Sequence, residues 1–118
     1  MENNILNVEQ VEDFRRDGFL IARGLFNPME MQDLAAWTDE VEEWPETAGR
    51  HMMYFETSLK LNGARILNRL ENFYPYHKGF QKLFGSAKLK GAASDLFSEE
   101  AVLYKDKINF KLPGGDGF

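Results

Sequence analysis

The residues best suited to binding chemistry are Lys105, Lys107, Asn109 and Lys111, which alternate with mostly apolar side chains. Alternate side chains of a β-strand share one face and lie about 6.6–6.8 Å apart, so this spacing predicts a cationic row of roughly 20 Å. A lysine charge beside an amide donor is suited to holding a small dianion. The same row is also typical of the solvated face of an edge strand, where lysines oppose aggregation. Composition leaves both interpretations open.

The two histidines are the other side chains that could do chemistry, because imidazole is a common metal ligand. Neither His51 nor His77 begins a His-x-Asp/Glu pair or a His-Glu-x-x-His helix, so solvated or hydrogen-bonded rings are predicted. The acidic run from Asp39 to Glu46 is interleaved with apolar residues, which indicates a solvated helix face. The chain contains no cysteine, which removes disulfides, cysteine-based zinc sites and thiol catalysis. No catalytic residue and no metal ligand is assigned from these patterns.

Aromatic residues make up 14% of the chain, and Phe73, Tyr74 and Tyr76 form a dense local cluster. Such clusters usually build a hydrophobic core. A ligand-facing wall that holds an ammonium group through the ring faces is the open alternative.

The elements that must position these residues follow from capping signals and hydrophobic spacing. Asn7 and Asn27 are predicted N-caps, each followed three residues later by a Gln or Glu that completes a capping box. In chain order the sequence predicts a helix over 8–17, a buried strand over 19–22, a helix over 28–44, a strand over 51–56, a strand over 65–73, helices over 76–84 and 87–97, and a strand over 101–113. This mixture corresponds to an α+β chain.

The chain of 118 residues is 43% hydrophobic and 28% charged, which describes one globular domain or a piece of one. Its formal net charge of −5 argues against a general nucleic-acid binder. Residues 1–64 carry 5 basic and 13 acidic side chains, whereas residues 65–118 carry 9 and 6, so the basic surplus lies with the lysine row. Apolar runs are far shorter than the roughly 20 residues of a membrane span, and no secretory pattern is present. We therefore expect a cytoplasmic protein with neither nucleic acid nor membrane as a partner.

Two segments of the chain resemble one known family. The segment from Val11 to Phe19, continued by Arg23-Gly24-Leu25-Phe26, resembles the helix and strand that open members of the phytanoyl-CoA dioxygenase (PhyH-like) family. The segment from Leu103 to Gly115 resembles the family strand that leads to the iron site. In this order and at this separation, the two segments extend the resemblance over nearly the whole chain.

The resemblance implies an oxygenase that depends on Fe(II) and 2-oxoglutarate, built on a double-stranded β-helix (jelly roll) with N-terminal helices outside the barrel. Because family chains are much longer, it implies that residues 1–118 are the N-terminal portion of a single oxygenase domain. The family holds iron with a His-x-Asp pair and a distant histidine. This sequence has no His-x-Asp, so the ligands are expected outside it and the 118 residues alone are expected to be inactive.

The resemblance also implies roles for the lysine row. Asn109 and Lys111 match positions that contact 2-oxoglutarate in relatives, while Lys105 and Lys107 lie where the strand borders the substrate. The stretches 52–56 and 69–73 resemble the organophosphonate-hydroxylating branch. The implied substrate is a small anionic or zwitterionic molecule, an aminoalkyl- or trimethylaminoalkyl-phosphonate. An acyl-CoA substrate and a non-catalytic acidic interaction domain are the alternatives, and the oligomeric state is left open.

Overall fold

The computed structural model describes residues 5–60 and 62–115. Its elements are, in chain order, α1 (Val8–Asp17), α2 (Pro28–Glu42), β1 (Met52–Thr57), β2 (Arg65–Glu71), a 3-10 turn (Tyr74–Tyr76), α3 (Lys78–Phe84), α4 (Ala87–Phe97) and β3 (Lys107–Asn109). The α+β class is confirmed, and the double-stranded β-helix stays a prediction. No helix among these described residues is long and apolar enough to cross a membrane. The chain divides into two compact units, residues 1–35 with 79–103 and residues 36–78 with 104–118.

Helix α1 has the bounds that its capping signals predict. The Asn7 side chain accepts a hydrogen bond from the Gln10 N–H at 2.8 Å, and the Gln10 side chain accepts one from the Asn7 N–H at 2.9 Å. This capping box satisfies two N–H groups at the helix start. At the other end, Gly18 adopts a left-handed φ of 81° and donates to the Phe14 carbonyl. Glycine adopts this conformation at little cost.

The core of the first unit lies between α1 and α4, around the buried side chains of Leu6, Val11 and Ala92. The Asp95 carboxylate of α4 accepts hydrogen bonds from the N–H groups of Ile5 and Leu6, at 2.9 and 2.8 Å. Asp95 is 2% exposed, and a buried carboxylate requires such partners. These bonds hold the segment before α1 against α4.

Gly91 is a weak helix former within α4, and the packing explains its presence. A β-carbon at this position would lie 2.6 Å from Cγ1 of Ile5, closer than two such atoms can approach. Glycine lowers helix propensity here but permits the close approach of the N-terminal segment.

The buried strand predicted over residues 19–22 is wrong. Phe19 and Ile21 are 63% and 62% exposed, and the segment belongs to neither a strand nor a helix. Leu20 and Ala22, in contrast, pack against the core of the first unit. A strand needs a neighbouring strand for its backbone groups, and the described part of the chain pairs none with this segment.

Helix α2 begins at the predicted position and ends slightly early. The Asn27 side chain accepts from the Glu30 N–H, and the Glu30 side chain accepts from the Asn27 N–H, both at 2.8 Å. The helix ends at Glu42 rather than at the predicted Trp44. A residue that precedes proline is disfavoured in helical backbone, which explains why the last turn stops before Pro45.

The second unit contains an antiparallel sheet with the strand order β1-β2-β3. The central strand β2 carries Leu70, which is fully buried and is paired with Met53 on one side and Ile108 on the other. The sequence predicts both β1 and β2. The sheet matters for function because it positions the lysine row.

The strand predicted over residues 101–113 is shorter than expected, because within it Lys107–Asn109 alone forms a strand, paired with β2. Val102 and Tyr104 are 77% and 96% exposed, so the alternation of exposed with buried side chains does not extend to them. From residue 105 to residue 112, exposed side chains alternate with buried or half-buried ones, as predicted.

Asp106 is the polar exception among the otherwise apolar residues that alternate with the lysine row. Its side chain is largely buried and accepts hydrogen bonds from the N–H groups of Asn72 and Tyr74, at 2.8 and 2.6 Å. A carboxylate, rather than a longer backbone ladder, therefore ties the segment before β3 to the turn after β2.

Candidate functional site

The candidate site is a cationic face of the sheet, formed by Tyr54, Arg69, Glu71, Lys105, Lys107 and Asn109. In the register of the sheet, Lys107 lies opposite Glu71, and both Asn109 and Tyr54 lie opposite Arg69. Directly paired residues of an antiparallel sheet project to the same face. The tertiary structure thus joins three residues of the predicted row to side chains from the two other strands.

Glu71 is the buried centre of the cationic face. Its side chain is 7% exposed and lies 2.8 Å from Nε of Arg69 and 3.0 Å from Nζ of Lys105. The hydrogen bond from Lys105 lowers the pKa of the Glu71 carboxyl; burial opposes this shift, while the charges of Lys105, Arg69 and Lys107 reinforce it. Glu71 is therefore ionised at neutral pH.

Arg69 is fixed on both of its sides. Its guanidinium carbon lies 4.4 Å from the ring centroid of Tyr54, in a cation–π contact, while its Nε contacts Glu71. The face therefore carries the cations Arg69, Lys105 and Lys107 around the single carboxylate of Glu71. The positive surplus and the neighbouring amide of Asn109 are suited to binding a small anion.

Lys111 is placed differently from the rest of the predicted row. It is exposed and lies two residues beyond the end of β3. The Gly115 N–H donates to the Leu112 carbonyl at 3.1 Å, so the chain turns soon after Lys111. The structure therefore places Lys111 outside the paired part of the sheet.

Sequence reasoning did not assign Tyr54, Arg69 or Glu71 to the lysine row. The sequence Arg69-Leu70-Glu71 did indicate a charged face, because two charges flank a leucine within a predicted strand. Strand periodicity puts both charges on the face opposite to the buried leucine. The pattern does not reveal which strand lies beside them.

Both histidines are more than nine-tenths buried, and their rings are hydrogen-bonded, which confirms one of the two predicted environments. Nε2 of His77 lies 2.8 Å from a carboxylate oxygen of Glu40, and Nε2 of His51 lies 2.8 Å from the Pro45 carbonyl oxygen. The Trp44 ring lies near both, with centroid distances of 4.7 Å to His51 and 6.0 Å to His77. These contacts make the histidines part of the packed interior of the second unit.

Within residues 5–60 and 62–115, no three His, Cys, Asp or Glu side chains converge to hold a metal ion. The iron implied by the family resemblance therefore finds no ligand set in this part of the chain.

The acidic run from Asp39 to Glu46 is another of the predicted features. Asp39, Glu40 and Glu43 are exposed, which confirms a solvated acidic face. Glu46 pairs with Arg65 at 2.8 Å.

The residues of the aromatic cluster lie in different environments. Phe73 is fully buried and belongs to the core. Tyr76 instead lies under the guanidinium of Arg50, at 4.2 Å from carbon to ring centroid. The face of the Tyr76 ring is therefore occupied by the protein's own Arg50.

Comparison with curated proteins finds oxygenases over almost the whole chain. The chain is 46% identical to a 2-aminoethylphosphonate dioxygenase of the uncultured bacterium HF130_AEPn_1, over 93% of the chain and 42% of that protein. It is 32% identical to a methylphosphonate hydroxylase of Gimesia maris, over 98% of the chain and 44% of that protein. It is 30% identical to the dioxygenase lolE1 of Epichloe uncinata, over 95% of the chain and 43% of that protein.

The chain spans less than half the length of these relatives. No protein-family model and no solved structure matches it. More than nine-tenths of the chain thus aligns with proteins named as dioxygenases or as a hydroxylase, which supports the resemblance of its opening and closing segments to the phytanoyl-CoA dioxygenase-like family of oxygenases.

Proposed function

We propose that the protein containing this chain is a hydroxylase of a small organophosphonate that depends on Fe(II) and 2-oxoglutarate. One observation carries the proposal: the cationic face holds Arg69, Lys105 and Lys107 around the single carboxylate of Glu71. A phosphonate and 2-oxoglutarate are both small dianions, which such a face is suited to bind. The double-stranded β-helix, a cytoplasmic location and a small-molecule partner without nucleic acid or membrane belong to the same proposal.

Two relatives support the choice of a phosphonate, since one is named for 2-aminoethylphosphonate and another for methylphosphonate. Relatives named as oxygenases also weaken the alternative of a non-catalytic acidic interaction domain. In the proposed reaction, 2-oxoglutarate and dioxygen give succinate and carbon dioxide. One oxygen atom enters succinate, and the other enters a substrate C–H bond next to the phosphonate.

The described residues are better suited to bind the phosphonate group of the substrate than an ammonium group. Lys105 and Lys107 are exposed cations on the same face. Carboxylates could bind an ammonium group, but those of the stretches 52–56 and 69–73 already have partners: Glu71 pairs with Lys105, and Glu56 accepts a hydrogen bond from Asn68. A phosphonate anion is therefore the group for which this part of the chain offers charge.

The experiment that tests the proposal follows succinate release while candidate substrates are offered one at a time and in competition. We expect 2-aminoethylphosphonate, methylphosphonate or a trimethylaminoalkyl-phosphonate to couple 2-oxoglutarate consumption to hydroxylation. Carboxylic acids of the same length serve as controls for charge. Succinate release coupled to an acyl-CoA alone would replace the phosphonate proposal with the acyl-CoA alternative.

For the cosubstrate, we expect Asn109→Ala and Lys111→Ala each to raise the KM for 2-oxoglutarate. A lost hydrogen bond to a charged group weakens binding by roughly 1–3 kcal/mol, about fivefold to 150-fold in KM. Lys82→Ala, which removes an exposed lysine of α3, is the matched control and should leave this KM unchanged. An unaltered 2-oxoglutarate dependence in both variants would identify this end of the row as a solvated strand face.

A further inference from the structure

Lys105 lies outside the paired part of β3, and its side chain is 59% exposed. A lysine side chain has four rotatable carbons and loses considerable conformational freedom when it is held in one geometry. An unrestrained Lys105 would sample many positions before meeting an anion. Its contact with Glu71, at 3.0 Å, restricts those positions.

An ordinary surface ion pair contributes little to stability because both side chains are exposed and mobile. The ion pair between Lys105 and Glu71 differs because its carboxylate is buried. The Glu71 side chain is 7% exposed and lies in the central strand of the sheet. Arg69, which also contacts the Tyr54 ring, holds the second carboxylate oxygen of Glu71 at 2.8 Å. A series of contacts therefore runs from Tyr54 through Arg69 and Glu71 to Lys105.

The ammonium group of lysine has three donors. Glu71 accepts from one of them, which leaves the others available to an anion in front of the face. The carboxylate therefore orients Lys105 without occupying its whole binding capacity.

We infer that Glu71 is a positioning residue, which acts through Lys105 to preorganise the cationic face for the substrate anion. This inference rests on the proposed function, in which Lys105 borders a phosphonate. It adds that the affinity for the phosphonate depends on a carboxylate that does not itself contact the substrate. Preorganisation of this kind increases affinity because less ordering remains for the moment of binding.

The test uses the protein that contains this chain and compares Glu71→Gln, Lys105→Met and the double variant, with the phosphonate that releases succinate as substrate. We expect Glu71→Gln to raise the KM for the phosphonate about tenfold, on the scale of a charge-assisted hydrogen bond, with kcat unchanged within about twofold. Lys105→Met should raise the KM at least as much. The double variant should match Lys105→Met, because residues that act through one another are not additive.

Glu30→Gln is the matched control. Glu30 also pairs with a lysine, Lys88, but lies outside the cationic face, and glutamine can replace glutamate in its capping box. This variant should leave the KM for the phosphonate unchanged.

Should Glu71→Gln fail to fold, as judged by thermal unfolding, Glu71→Asp retains the negative charge and takes its place. We then expect a raised KM that is again non-additive with Lys105→Met. Additive effects in either series, or an unchanged KM in the folded Glu71 variant, would overturn the positioning role while the proposed function stands. An unchanged KM in Lys105→Met would overturn the assignment of Lys105 to the substrate, and the positioning role with it. Absence of turnover with every phosphonate would reject the proposed function itself.

Discussion

Asp106→Ala is expected to lower the free energy of unfolding by roughly 2–6 kcal/mol, because each buried N–H left without a partner costs about 1–3 kcal/mol. The Asp106 carboxylate accepts from the N–H groups of Asn72 and Tyr74, at 2.8 and 2.6 Å, and the residue is 9% exposed. Alanine provides no acceptor, and the buried site gives water little access to replace it. Urea denaturation of the protein measures the change.

Asp106→Asn separates hydrogen bonding from packing, since its amide retains one acceptor oxygen of nearly the same shape. We expect a smaller loss than for alanine. Glu100→Ala removes an acid whose side chain is 73% exposed and should change the free energy of unfolding by no more than about 0.5 kcal/mol. A loss below about 1 kcal/mol for Asp106→Ala would contradict the role of Asp106 as the tie between β3 and the turn after β2.

Asp106→Ala also has a functional consequence, because the residue lies between Lys105 and Lys107 in the chain. Without its two hydrogen bonds, the segment before β3 loses its attachment to the end of β2. We expect the folded fraction of this variant to bind the phosphonate less tightly than wild type, which is seen as a raised KM.

Leu70→Ala is expected to lower the free energy of unfolding by about 2–5 kcal/mol, the range for removing a buried leucine side chain and leaving a cavity. Leu70 is fully buried in the central strand, between the paired residues Met53 and Ile108. Its neighbours Arg69 and Glu71 lie on the opposite face, so the substitution leaves their ion pair chemically intact. Thermal or urea unfolding measures the loss.

Leu59→Ala is the control for Leu70→Ala. Leu59 is 75% exposed, so little apolar surface returns to water when its side chain is removed, and a change within about 0.5 kcal/mol is expected. Equal losses in the two variants would show that Leu70 does not anchor the core of the second unit.

The helix starts of this protein are determined locally, and the sequence therefore predicts them. The capping boxes at Asn7 and Asn27 involve residues three positions apart, so the same side chains meet in any structure that contains these helices. The alternation from Lys105 to Lys111 is also local, because strand geometry alone decides which side chains share a face. These features, with the family resemblance of the opening and closing segments, are what the sequence alone determined.

The cationic face as a site was decided by tertiary structure. Arg69 and Asn109 are 40 positions apart in the chain, and they meet because β2 and β3 pair in one register; a shift by one residue would move Arg69 and Glu71 to the opposite face. The same dependence on partners explains the error over residues 19–22, where an apolar run formed no strand. Strand pairing depends on which distant segment supplies the backbone hydrogen bonds, and a local pattern carries no information about that partner.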